Sequence, residues 1–274
     1  MVTDCRDPAT AELYGTLFGT FGVYRAGRQL PIAPRGAVAE LSRYLVAHAG
    51  RGVPRDELVE LVWPEVNHEL AVHRLHVAVS TLRRELNGTA RRNRREKSPL
   101  RLEDDKYCVA ADAIVTDCDL FEAHYRHGKA ERDRAEYASA ARCFREAVAV
   151  YAGEFVADRP YAEWAERRRT HFAERRLDVL DWLCEHALRE SDMMSLLEYG
   201  REILEFDNLR ERTHRHLMRA HYYLGDRGLA IRQYQQCAHL LESELGVLPS
   251  QQTQQLHHAI RDDSPLPSER LMLD

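Results

Sequence analysis

Hydrophobic positions recur at intervals that change along the chain. Over residues 17–32, LFGTFGVYRAGRQLPI, apolar and polar residues alternate around Gly19, Gly22 and Gly27. That is the pattern of two short strands joined at Ala26-Gly27. From Arg35 the interval lengthens, and Val38, Leu41, Leu45 and Val46 recur three and four apart, predicting a helix to His48 that Gly50 and Gly52 end. Pro54 opens a second helix, PRDELVELVW, whose first-turn acids suit the positive end of the helix dipole, and Trp63-Pro64 closes it. A third helix is predicted from about Glu69 to Leu86, stopped by Asn87-Gly88. After the polar loop TARRNRREKSP, Leu100, Leu102, Tyr107 and Val109 bracket an Asp104-Asp105 turn, which predicts a β-hairpin.

Strands, three helices and a terminal hairpin, in that order, describe a small α+β winged helix-turn-helix, in which the third helix enters the DNA major groove. From about Asp117 the pattern is helical almost throughout, including a long helix from Tyr161 to Arg189. Two segments there superimpose at a shift of 34 residues: Leu183, Leu196 and Ile203 fall on Leu217, Ala230 and Cys237, with Ala187 over His221 and Gly200 over Tyr234. A 34-residue period of helix pairs is the tetratricopeptide (TPR) signature, degenerate here and so TPR-like. The fold class read from the chain is mainly α. A winged helix over 15–112 precedes an all-α TPR-like repeat domain over 113–262, with flexible tails at 1–14 and 263–274.

The third helix has an unusual outer face. At ~100° per residue, Val79, Leu82 and Leu86 fall within about 40° of Leu75 and form one buried stripe. The opposite side carries His73, Arg74, Val77, Ser80, Thr81 and Arg84. An ordinary solvated helix would show Glu and Lys there. Short side chains instead let a helix backbone approach base edges; Ser and Thr serve donor or acceptor edges, Val meets a thymine methyl, and Arg forks onto guanine. These six residues are the candidate base-reading set.

Charge sharpens this. The whole chain is net −5, but residues 1–112 hold 17 Lys/Arg against 15 Asp/Glu, and residues 70–101 hold nine against two. A local positive field on an acidic chain is where an anionic polymer would sit. Arg91, Arg92, Arg94, Arg95 and Lys97 would neutralise phosphates without reading sequence, with Arg83, with Arg101 and Lys106 flanking the hairpin tip, and with Arg35 and Arg55 at helix starts as further backbone contacts. The acids Asp104 and Asp105 at the hairpin tip would repel phosphate, so either the wing stays off the DNA or only its flanks touch.

Other chemistry finds little support. The segment from His68 to His73 puts two histidines five apart, one too many to share a helical face and a metal. No Gly-rich phosphate loop, nucleophile elbow or paired catalytic carboxylates stand out, and no metal or cofactor is expected. No apolar run approaches the ~18 residues of a membrane span. The acidic N-terminus is not a secretory signal, and the six cysteines lack any C-x-x-C pair. The expectation is a cytoplasmic, non-enzymatic protein with free thiols and no membrane partner.

The first half, from LFGTFGVYRAGRQLPIAPR through DELVELVWPE to HVAVSTLRREL, resembles the OmpR/PhoB-type winged helix of SARP-family (Streptomyces antibiotic regulatory protein) activators. DCDLFEAHYRHG, YAEWAERRRTHFAERRLDVLDWL and the Y-x-x-C-x-x-L-L-x-x-E-L-G-V-x-P-S run at 234–250 resemble their bacterial transcriptional activator domain. The resemblance implies an activator of a specialised-metabolite gene cluster. Such a protein binds direct repeats in double-stranded DNA near a promoter, beside a second protomer, and contacts RNA polymerase. It maps base reading onto His73, Arg74, Val77, Ser80, Thr81 and Arg84. This sequence departs from the pattern in having Lys106 before the wing Tyr107, and Asn208 where the repeats usually place proline. Two other readings stay open: a TPR-like interaction scaffold with a degenerate DNA-binding domain, and a regulator gated by a small effector.

Overall fold

The computed structural model describes residues 12–88 and 98–267, and its chain divides into two compact units. The first takes residues 1–123 and 149–172, the second residues 124–148 and 173–274.

In the first unit, a four-stranded sheet has the order β3-β2-β1-β7. β1 (Leu13–Thr16) pairs antiparallel with β2 (Gly22–Arg25), and β2 with β3 (Arg28–Gln29). The two strands predicted to join at Ala26-Gly27 are therefore β2 and β3, turning there with φ of 47° and 75°. The sequence places residues 1–14 in a tail, but Leu13 is fully buried and β1 begins there. The reason is distant: β1 pairs in parallel with β7 (Ile114–Thr116), Leu13 opposite Ile114, and a sheet partner so far along the chain leaves no local signature.

Three helices follow β3. α1 (Ala37–Ala47) starts two residues later than Arg35 because Gly36, at φ 88°, is outside helical geometry. α2 (Arg55–Val62) begins directly after Pro54, and α3 (His68–Asn87) is the predicted third helix. Asn67 caps α3 by accepting from Glu69 N at 3.1 Å, and Gly88 ends it at φ 67°. Leu75, Val79, Leu82 and Leu86 are all buried, with Leu41, Leu45 and Leu58 from α1 and α2 among the unit's buried side chains. The wing is β5 (Leu100–Glu103) and β6 (Lys106–Val109), extended by β4 (Val53–Pro54) in the order β4-β6-β5. Asp104 and Asp105 both take positive φ, 49° and 59°, as a tight two-residue turn between twisted strands requires.

The same unit has an aromatic core that no periodicity announces. The Phe18 ring lies 5.0 Å from Phe172 and 4.5 Å from Tyr151, while Phe121 and Phe155 each stand 5.7 Å from Phe172. Phe18 and Phe155 also form a β-bridge. Asp117 ties this region together. Its buried carboxylate accepts from Leu17 N and Phe18 N at 2.9 Å and from Cys118 N at 2.8 Å.

Helices α4 (Asp117–Asp133), α5 (Tyr137–Val150) and α6 (Glu163–Arg189) run through both units. The second unit adds α7 (Met193–Phe206), α8 (Glu211–Tyr223), α9 (Arg227–Leu245) and α10 (Gln251–Arg261). The 34-residue repeat holds in three dimensions, since α6–α7 and α8–α9 are its two helix pairs. Leu183 and Leu217, Leu196 and Ala230, and Ile203 and Cys237 are buried at equivalent positions. Residues 263–267 of the predicted tail also carry structure. Leu266 packs on the cluster of Met218, Ala230, Leu256 and Ile260, and Arg219 Nη2 donates to the Pro267 carbonyl at 2.6 Å. Apolar contact and one charged hydrogen bond hold a segment that has no secondary structure of its own.

Candidate nucleic-acid interface

The buried stripe of α3 fixes which side faces outward. His73, Arg74, His76, Val77, Ser80 and Arg84 are exposed, and Thr81 is half-buried. Val77 is 56% exposed, a β-branched apolar side chain left in water in the middle of a helix. The six candidate base-reading residues thus come together on one helix, five of them open to solvent. Burial holds the Glu85 carboxyl above the usual carboxylate range, against the lowering pull of Arg84.

The basic residues around α3 differ in how far they are already engaged. Arg35 and Lys106 are exposed. Arg55 reaches from the start of α2 to Asp105 Oδ2 at 3.1 Å, so one of the awkward wing acids has a partner within the fold. Arg101 stands 3.4 Å from Asp112 on the other wing strand's flank. Arg83 Nε donates to the Leu100 carbonyl at 3.2 Å, joining α3 to β5. The Tyr107 hydroxyl is pushed up by burial although Arg83 and Arg55 pull it down. Arg91, Arg92, Arg94, Arg95 and Lys97 lie outside the described residues.

One residue of the site was not visible from the sequence. Arg25 on β2 donates through Nη1 to the Asn87 carbonyl at 2.8 Å and through Nη2 to the Leu86 carbonyl. It also pairs with Glu12 at 3.0 Å. A strand arginine facing a helix end some sixty residues away has no spacing to reveal it.

The family described as "Bacterial transcriptional activator domain" matches residues 116–261, more than half of the chain. The one described as "Transcriptional regulatory protein, C terminal" matches residues 31–96, which cover α1 to α3. The chain belongs to this bacterial activator family, as a SARP-type transcriptional activator. It is similar to Regulatory protein DnrI of Streptomyces peucetius, 27% identical over 223 residues, which make up 81% of this chain and 82% of that one. Its fold matches EmbR of Mycobacterium tuberculosis, solved in complex with a low-affinity phosphopeptide, at a TM-score of 0.73 and 20% identity. That match covers 93% of this activator but 66% of the longer EmbR chain, and it speaks for the fold. Among the described residues of the activator, no helix is long and apolar enough to cross a membrane.

Proposed function

We propose that this SARP-type regulator activates a specialised-metabolite gene cluster from the cytoplasm, without catalysis, by reading direct repeats near a promoter. Residues 15–112 serve DNA and residues 113–262 serve contacts to RNA polymerase and to a second protomer on the DNA. His73, Arg74, Val77, Ser80, Thr81 and Arg84 read base edges. Arg35, Lys106 and the 91–97 basic loop meet phosphates, while Arg55, Arg83 and Arg101 add charge from positions where an internal partner already orients them.

The observation that carries this reading is the outer face of α3, where an exposed Val77 sits among short polar side chains and arginines. Water alone gives no reason for such a face, whereas a major groove does. The likeness to Regulatory protein DnrI supports the regulatory class.

Fluorescence anisotropy on the promoter DNA flanking its gene, against a shuffled duplex and across a salt series, tests the proposal. Native preference that is lost in Arg84→Ala and Thr81→Ala, over a steep salt dependence, is the expected result. Equal weak binding to both duplexes by the unmodified chain would overturn it and favour a scaffold.

A further inference from the structure

The far end of α3 is gripped by a single side chain from the amino-terminal sheet. The carbonyls of Leu86 and Asn87 are among the last four of the helix, which have no partner inside it and carry the negative end of its dipole. Both are taken by the Arg25 guanidinium. A planar fork suits two adjacent carbonyls in a way a single ammonium cannot. The surroundings are built around this grip. Glu12 holds the same Nη2 at 3.0 Å, and a Cβ on Gly88 would come within 3.2 Å of Arg25 Nη1.

The rest of α3 is held differently. Its buried stripe of Leu75, Val79, Leu82 and Leu86 anchors it by apolar contact, which is non-directional and tolerates small slides and rolls. Asn67 caps the first turn from within the helix's own chain and so fixes no pose relative to the sheet. Arg83, bonded to Leu100, ties the helix to the wing. Arg25 ties it to the sheet, and hydrogen bonds to two carbonyls fix both direction and distance. Base readout depends on donor and acceptor positions to within fractions of an ångström, while phosphate contacts by flexible side chains do not.

We infer that Arg25 is a positioning residue for sequence discrimination: by clamping the C-terminal carbonyls of α3 to β2, it sets the pose in which that helix meets bases. This rests on the reading of α3 as the base-reading helix. Arg25 acts through the helix and not on DNA.

The test uses the full chain with Arg25→Ala and Arg25→Lys, titrated by anisotropy against promoter and shuffled duplexes over a salt series, with circular dichroism and thermal melts alongside. Arg25→Ala is expected to lower the promoter-over-shuffled ratio by about tenfold, the scale of one lost base contact, with shuffled-duplex affinity and salt slope unchanged. Arg25→Lys keeps the charge but not the fork, and is expected to fall between; if the alanine variant does not fold, the lysine variant decides. A parallel loss on both duplexes, with a shallower salt slope, would make Arg25 a phosphate contact and overturn the inference. An unchanged ratio with only a lower melting temperature would overturn it too, leaving a structural strut. A wild-type chain with no preference would instead defeat the reading of α3 itself, and the inference with it.

Discussion

Two glycines in helices, given the same substitution, should move stability in opposite directions. Gly128 lies inside α4, and a Cβ built on it would stand 2.6 Å from Phe144 Cδ1 and 3.1 Å from Cζ. The ring has little freedom to retreat. Phe144 is 2% exposed and its centroid lies 5.0 Å from Trp182 and 6.4 Å from Tyr125. Replacing glycine by alanine in a helix interior gains roughly 0.5–1 kcal/mol from backbone entropy. Forcing one methyl into a filled core costs about 1–3 kcal/mol. The clash wins, and Gly128→Ala should lose about 1–2 kcal/mol. Gly228, in the first turn of α9, has open space where its Cβ would go. There only the entropy remains, so Gly228→Ala should gain up to about 1 kcal/mol. Urea unfolding of the full chain, followed by far-UV circular dichroism, reads both as shifts in midpoint at constant slope. A Gly128→Ala midpoint at or above that of wild type would refute the packing argument, because it would mean the Phe144 ring yields at no cost.

Two further outcomes follow from charge. Burial is the largest influence on the Asp117 carboxyl and raises it from 3.8 to about 6, outweighing its backbone hydrogen bonds. The folded protein therefore holds that proton more tightly than the unfolded chain does. The resulting stabilisation is complete below about 3.8 and disappears as pH rises through about 6, so the stability of wild type relative to Asp117→Asn should be larger at pH 4 than at pH 7; urea midpoints that show a growing wild-type advantage at higher pH would contradict this. Asp105→Asn should release Arg55, now 3.1 Å from the Asp105 carboxylate, and remove a charge from the wing tip. Binding to a shuffled duplex should then tighten and its salt slope steepen by about one, whereas an unchanged slope would place the wing away from the backbone.

Much of this activator was legible residue by residue. Leucines three and four apart along α3 showed its buried side and, by subtraction, its outward face; Asn87-Gly88 marked its end; Asp104-Asp105 marked the wing turn, where both residues do take positive φ. The repeat at 34 residues placed Leu183 and Leu217, Leu196 and Ala230 at equivalent buried sites of successive helix pairs. All these signals are local, or recur at a fixed interval, because a helix or turn is set by residues a few positions apart.

Other features were decided only by the tertiary structure. The pairing of β1 with β7, the aromatic core of Phe18, Phe121, Tyr151, Phe155 and Phe172, the Asp117 carboxylate beneath Leu17 and Phe18, and the Arg25 clamp on α3 each join residues far apart in the chain. Such contacts have no period. A strand of four residues or a single arginine looks the same in the sequence whether or not a partner waits at the other end of the fold. Local pattern could therefore determine the elements and the face of α3, while the bonds from Arg25 to the Leu86 and Asn87 carbonyls depend on distant backbone that chain folding alone brings within reach.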